Sequence, residues 1–465
     1  MKKLLTFFIL IIVNNLFAQI PTLSGTVKVS INEGTIDCDL TLYDIPELKE
    51  YVILINSGFN LNVIRTDENE FNYPYSKKYD KDISEESFLY SISNEKGKLL
   101  PNKLRFIYSG KFPVKKDTTF LQGSKDWNGN IAFNGKSLRM AGATNWYPIL
   151  YDIEMDKRYN EIKYNINIVC EDCKTLYVNG NPPLYSTNSN FKSDYPTDLL
   201  LFIGNYDFKE YNKIYYLNPD LTDDEIKNFS ELVQKFKTYY SKNVKIPYEA
   251  DYNFIQTTPT FKKNGGFLFV SYPTIANVGS GKYGLKSVVT YDYTKPLVAH
   301  ELAHYYFGAG YRQFNSEIGN VIQESFSEYI SAQAVKEILG QEIYDNKIAN
   351  ITSRFKKESD KIYKPISNIE NYSDFGNYYA YAYNYFPTIL LAIEKEVGQT
   401  KMFEWVNNLL ITTANFTDFQ FLKSTLEKTI GKKKADILTT KYLTSEKAIE
   451  NALEKIKTLP NNGYK

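Results

Sequence analysis

The chain holds two histidines in 465 residues, and they stand four positions apart in the run His300-Glu301-Leu302-Ala303-His304. On a helix, residues at that spacing lie on one face about one turn apart, so both imidazoles can reach a single metal ion while Glu301 stands beside it. The chemistry this set supports is hydrolysis: two neutral imidazoles for a Zn²⁺ ion and a carboxylate to take a proton from an attacking water. The plainer reading, two solvated or core-packed histidines, explains neither the spacing nor the glutamate between them.

A catalytic zinc takes a third protein ligand and keeps one position open. Glu317, Glu324 and Glu328 lie downstream of the pair. Glu324, in Ile322-Gln323-Glu324-Ser325-Phe326-Ser327-Glu328-Tyr329, is expected to complete the set, because a helix, a turn and a return helix bring its carboxylate back to the histidines. Glu328 lies one turn further on the same face. It is placed to accept a hydrogen bond from the non-ligating nitrogen of one histidine, the alternative being a solvated helix charge.

These residues need a scaffold. Pro296 is tolerated in a helix's first turn, and Gly308 and Gly310 suit its end, so the spacing predicts a helix over 296–308. Helical periodicity continues over 317–339, 343–358 and 376–397 and in shorter segments beyond, and strands are expected at about 248–257 and 266–272. Thr222-Asp223-Asp224-Glu225 is a capping box opening a helix with Ile226, Phe229, Val233, Phe236 and Tyr240 on one face. From about 20 to 205 the pattern alternates with period two (Val27, Val29, Ile31; Ile36, Cys38, Leu40, Leu42), as in a β-sandwich or saddle. The expected fold class is therefore α+β and multidomain. An N-terminal β domain spans 19–205, with its boundary near Gly204-Asn205; a small mixed sheet with a helical half spans 206–400; a short helical extension spans 401–465.

Here the sequence resembles the gluzincin metallopeptidases, above all the aminopeptidase N and leukotriene hydrolase family, over about residues 200 to 400. That family's third ligand lies in a helix reading roughly N-E-G-F-A-x-Y, matched by Gln323 to Tyr329 at Glu324, Phe326 and Tyr329. Nineteen residues separate His304 from Glu324, one more than in most of the family and as in thermolysin. The resemblance implies a thermolysin-like catalytic domain, one Zn²⁺ held by His300, His304 and Glu324, Glu301 as general base, and a peptide or protein substrate. It also implies a tyrosine that steadies the oxyanion, in a helix reading Y-x-K-G-x-x-V-L. Tyr383, which opens Tyr383-Asn384-Tyr385-Phe386-Pro387-Thr388-Ile389-Leu390, fits that register without the Lys and Gly, and Tyr378, Tyr379, Tyr381 and Tyr385 lie close by. The substrate-binding strand corresponds to Gly265 and Gly266 with the residues after them, and Leu268 stands where the family carries the glutamate that binds the substrate's α-amine. Aminopeptidase-like activity is what the resemblance implies. Endopeptidase action on the same fold is the alternative, and a noncatalytic exported binding protein is the rival from another class. The short extension after Tyr383 is expected to leave the cleft open on one side.

Composition narrows the partners. Lys and Arg total 55 against 54 Asp and Glu, a net charge of +1, which argues against a broad nucleic-acid or anionic-membrane surface. Met1-Lys2-Lys3, the apolar run Leu4 to Val13 and a small residue at Ala18 read as a secretory signal peptide over 1–18, too short for the roughly 20 residues a membrane span needs. No later segment is long and apolar enough to span, so a periplasmic or extracellular protein is expected, an uncleaved anchor being the alternative. In such a compartment Cys170 and Cys173 are expected to form a local disulfide at a hairpin end, with Cys38 left free.

Overall fold

Alternating side chains build the first half. In Thr22–Ser30 and Thr35–Tyr43 the residues Leu23, Val27 and Val29, and Ile36, Cys38, Leu40 and Leu42, turn inward while their neighbours face outward. The computed structural model describes residues 20–66, 72–80, 83–84, 86–94, 97–112, 114, 131–257, 268–278, 284–357 and 363–456. The expected signal peptide and the pair Gly265 and Gly266 lie outside them, and the strand and helix counts below refer to the described residues.

Six strands form the first sheet, in the order Asn188–Asp198, Glu161–Val169, Thr22–Ser30, Thr35–Tyr43, Lys103–Lys111, Asn60–Arg65. A second sheet centred on Tyr51–Asn56 packs against it over a shared core that includes Trp146, Tyr108 and Tyr164. That core satisfies its own polar atoms: the Trp146 indole donates to Leu199 O at 2.8 Å and the Tyr108 phenol to Trp146 O at 2.7 Å. A third sheet, with Thr175–Val178, Leu201–Gly204 and Ser137–Met140 at its centre, forms the seam with the second half. Its Tyr177, Leu200, Phe202 and Tyr206 pack on Leu217, Ile255 and Ala276 of the next sheet.

Cys170 and Cys173 are disulfide-bonded and Cys38 is free and buried. Their setting differs from the expected hairpin. Glu161–Val169 pairs with Asn188–Asp198 and Thr22–Ser30, whereas Thr175–Val178 pairs within the third sheet, so the disulfide closes the turn where the chain passes from one sheet to another. Strand pairing depends on partners far along the chain, which local alternation does not reveal.

The second half begins with a five-stranded mixed sheet in the order Phe208–Tyr211, Ile214–Leu217, Asn253–Gln256, Thr274–Asn277, Leu268–Ser271. The last pair is antiparallel and leaves Leu268–Ser271 at the edge. Thr274–Asn277 is buried on both faces and so lacks the alternation that would have marked it as a strand. The helix Asp223–Val244 carries the expected capping box: Thr222 Oγ1 accepts from Glu225 N at 3.3 Å, and Glu225 Oε2 accepts from Thr222 N at 2.8 Å. The remainder is helical around Gly319–Ile338, which is buried on nearly all sides through Val321, Ile322, Phe326, Tyr329, Ile330 and Val335. The segments Gln399–Ile411, Phe419–Ile430, Lys432–Leu438 and Ala448–Ile456 complete this half. The architecture is thus α+β and multidomain, as the sequence pattern predicts.

Candidate metal centre and its cleft

The histidine pair lies on Lys295–Ala303, a shorter helix than the predicted 296–308. It stops at Ala303 because the chain tightens there: Tyr305 N donates to Leu302 O and Tyr306 N to Ala303 O, and Gly308 (φ +96°) and Gly310 (φ +86°) then reverse direction. His304 caps the helix with helical dihedrals, so the one-turn relation to His300 survives. Two phenols anchor the helix from outside, Tyr240 donating to Ala299 O at 2.6 Å and Tyr248 to Leu302 O at 2.8 Å.

The return helix Gly319–Ile338 then presents Glu324 to the pair. His300 Nε2 and His304 Nε2 are 3.1 Å apart, and Glu324 Oε2 lies 3.3 Å from each. A tetrahedral zinc with bonds of about 2.0–2.1 Å needs neighbouring donor atoms about 3.3–3.4 Å apart, which this triangle meets within a few tenths of an ångström. Glu324 Oε2 is buried, makes no well-aligned hydrogen bond and faces only the two Nε2 atoms, a setting in which a buried carboxylate favours a cation. These three residues can hold a metal ion. The other cluster of ligand-type side chains among the described residues, Cys170, Asp172 and Cys173, has its thiols tied up in the disulfide. Glu317 is exposed and takes no part in the donor set.

Behind the donors, Nδ1 of His300 is 2.9 Å from Glu328 Oε2, and Nδ1 of His304 is 3.0 Å from Phe307 O, with Ser327 Oγ at 3.3 Å. Each partner fixes the tautomer that leaves Nε2 free as a ligand. Glu328 is itself held by Lys347, whose Nζ donates to Oε1 at 2.6 Å. Nothing around Lys347 in the chain marks it for this role: a lysine on an amphipathic helix has solvent as its default surroundings, and here it is only 11% exposed.

The charges interlock. Burial disfavours charge on His300, yet Glu324 and Glu328 bring its pKa up to about 10. Burial pushes the Glu324 carboxyl up, and the two imidazoles outweigh it and hold it well below the usual carboxylate range. Glu301, buried, is pushed up to about 7 by desolvation, with the imidazoles opposing and the neighbouring carboxylates reinforcing the shift.

Donors and Glu301 open on a cleft of about 730 Å³, walled on one side by Leu268, Phe269 and Val270 of the edge strand and on the other by Tyr379 and Tyr383. The predicted helix over 376–397 is interrupted. Tyr378–Ala380 leads into a wider π-turn, Tyr381–Tyr385, with Phe386 N bonded to Tyr381 O, and only then does Phe386–Val397 run as a regular helix. Pro387 accounts for the break, since it offers no N–H to the carbonyl four residues back. The turn separates the tyrosines. Tyr383 faces the cleft with its ring centroid 5.6 Å from that of His300, Tyr379 stacks on it at 6.4 Å, Tyr381 donates to Lys364 O at 3.0 Å, and Tyr385 is buried. Burial, then the Glu324 charge, raises the Tyr383 phenol far above its ordinary pKa, so it stays a donor.

No family model and no curated protein matches the chain. Solved structures do. Leukotriene A4 hydrolase of yeast superposes with a TM-score of 0.64 at 14% identity, covering 90% of this chain and 66% of its own. The chain thus spans just under two thirds of that protein's length. An M1 zinc metallopeptidase of Deinococcus radiodurans superposes at 0.60 with 12% identity over 92% of this chain and 94% of its own, and a mutant of it bound to a Tyr-Ser-Ala substrate at 0.61 with 13% identity over 91% and 93%. With a β half leading into a mixed sheet and a helical half around a histidine–glutamate centre, the chain has the multidomain gluzincin fold of the aminopeptidase N and leukotriene hydrolase type.

Proposed function

We propose that the protein is an exported, zinc-dependent hydrolase of peptide bonds. The observation that carries this reading is the donor triangle of His300, His304 and Glu324, with its buried carboxylate oxygen facing the two Nε2 atoms at the floor of a cleft. Bound there, zinc would supply a Lewis acid that polarises a carbonyl and makes water acidic enough to react near neutral pH. The chain's own groups do the rest. Glu301, beside the donor set on the floor of the cleft, takes the proton of the attacking water and passes it to the leaving amine. Tyr383 donates its phenolic hydrogen to the oxygen that gains charge as the carbonyl becomes tetrahedral. Glu328 and Phe307 O keep the imidazoles oriented. An extended peptide can add along the outer edge of Leu268–Ser271 and exclude water from the floor. The tripeptide substrate of the Deinococcus relative supports a peptide as the substrate here. Export rests on the leader-like first 18 residues, and a disulfide between Cys170 and Cys173, the kind of bond that persists in oxidising compartments, supports it. Glu301→Gln should leave zinc content at one per chain and abolish peptide hydrolysis; turnover retained by that variant in a pure preparation rejects the assignment.

A further inference from the structure

Resting on the hydrolase reading, we propose that the cleft takes peptide segments without anchoring a free N-terminal amine, so that its substrates are chain-internal or amine-blocked bonds of extended polypeptides. Holding an ammonium group in a partly desolvated cleft requires a carboxylate that is not already committed. Among the described residues the cleft is lined by Glu301, Glu324 and Glu328 as its only acids. Glu324 belongs to the donor triangle, Glu328 is shared between His300 and Lys347, and Glu301 is the base.

The edge strand offers no substitute. It presents Leu268, Phe269 and Val270 to the cleft, and Leu268 is 7% exposed. The sequence on either side of this hairpin, residues 258–267 and 279–283, contains Lys262, Lys263 and Lys282 and no Asp or Glu. Arg139 of the β half lies behind the strand, its guanidinium 5.0 Å from the Phe269 ring centroid. Two β-half acids that reach the end of this strand and the loop after His304 are spoken for: Asp198 accepts from Ser271 Oγ and Gly142 N, and Glu161 from Gly310 N and the Gln313 side chain.

Other features suit a longer chain. The outer edge of Leu268–Ser271 has no strand partner among the described residues, so its backbone can hydrogen-bond a substrate whatever that substrate's terminus. Leu268, Val270 and Leu297 offer an apolar surface to a side chain beside the scissile bond. Gly308 and Gln323 wall both this cleft and a second cavity of about 700 Å³ that reaches Tyr151 and Lys157 of the β half and Asn315.

The test uses the full-length, zinc-loaded protein and one quenched peptide sequence in three forms: free N terminus, N-acetylated, and extended by several residues so that the same bond is internal. Products are mapped by mass spectrometry. The acetylated and extended forms should be cleaved with kcat/KM within about three-fold of the free form or better, whereas loss of a real ammonium–carboxylate contact would cost on the order of 100-fold. Leu268→Glu should raise the ratio of free to acetylated cleavage. Stepwise release of single residues from free N termini only, with a ratio already high that Leu268→Glu does not raise, overturns this inference and leaves the hydrolase reading intact. Cleavage of none of the three by protein shown to hold zinc overturns both.

Discussion

Lys347 Nζ lies 2.6 Å from Glu328 Oε1, and the other oxygen of that carboxylate lies 2.9 Å from Nδ1 of His300, so a lysine 47 positions after the first histidine helps aim it. All three side chains are nearly buried. Burial works against the charged Glu328 carboxylate, and Lys347 with His300 outweighs it, holding the pKa near 2. Replacing Lys347 with Met would leave a buried carboxylate without its cation and loosen its hold on the imidazole. Loss of such supporting partners costs about 10- to 100-fold in metal affinity. Chelator competition should show a drop of that size in Lys347→Met and partial recovery in Lys347→Arg. Equal zinc affinity in all three proteins would show that Glu328 orients His300 unaided.

Tyr383 lines the cleft beside His300, and the oxyanion-donor role proposed for it predicts a kinetic signature. Tyr383→Phe removes one hydroxyl and should lower kcat by about 10²- to 10³-fold with KM little changed, because the interaction forms in the transition state. Tyr379→Phe should have a smaller effect, since Tyr379 is exposed and contributes a stacked wall rather than the hydroxyl over the floor. Steady-state kinetics on one peptide checks both; a larger loss in Tyr379→Phe reverses the assignment.

The parts of the site written in local geometry were readable from the residues. His300, Glu301 and His304 share one turn, and Glu324 with Glu328 shares another, so helical periodicity alone places each set. What was not readable depends on contacts between elements. Lys347 is 19 positions beyond Glu328 on the next helix, where nothing in its neighbourhood distinguishes it from a solvated lysine. The family register alone singles out Tyr383, and the local pattern gives no sign of the π-turn ahead of Pro387 that sets which of the neighbouring tyrosines face the cleft. The setting of the Cys170–Cys173 turn likewise hung on which distant strands Glu161–Val169 and Thr175–Val178 pair with.

Gly308 sits at φ +96°, and a Cβ placed on it would clash with Gln323 Oε1, next to Glu324 of the donor set. Gly308→Ala therefore carries backbone strain of about 1–2 kcal/mol and also displaces Gln323. The melting temperature should fall, by about 2–4 °C per kcal/mol for a domain of this size. The double variant Gly308→Ala/Gln323→Ala removes the clash and should recover part of the loss, leaving the dihedral cost. Full recovery would assign the whole effect to the clash, and no recovery would assign it to the backbone.

At the seam between the halves, Glu161 and Asp198 are cross-strand partners, both partly buried. Burial, then the Asp198 charge, pushes Glu161 up to about 7, with Gly310 N and Gln313 opposing; burial pushes Asp198 up to about 6, with Ser271 and Gly142 N opposing. Tyr147 and Tyr252 also feel these charges and remain protonated throughout. Relative to usual values of 4.5 and 3.8, the folded protein therefore binds extra protons across the interval up to about pH 7. Their contribution to stability is fully present below the unfolded values and is lost as pH rises through the folded ones. Wild type should lose stability relative to Glu161→Gln between pH 5 and pH 8, by on the order of 1–3 kcal/mol, because the amide keeps the shape of the protonated acid and cannot ionise. Urea unfolding of both proteins at the two pH values isolates Glu161, with its coupling to Asp198, from the carboxyls the two proteins have in common. Parallel stability curves for the two proteins would mean that the pair is ionised throughout and that its repulsion is already part of the folded state.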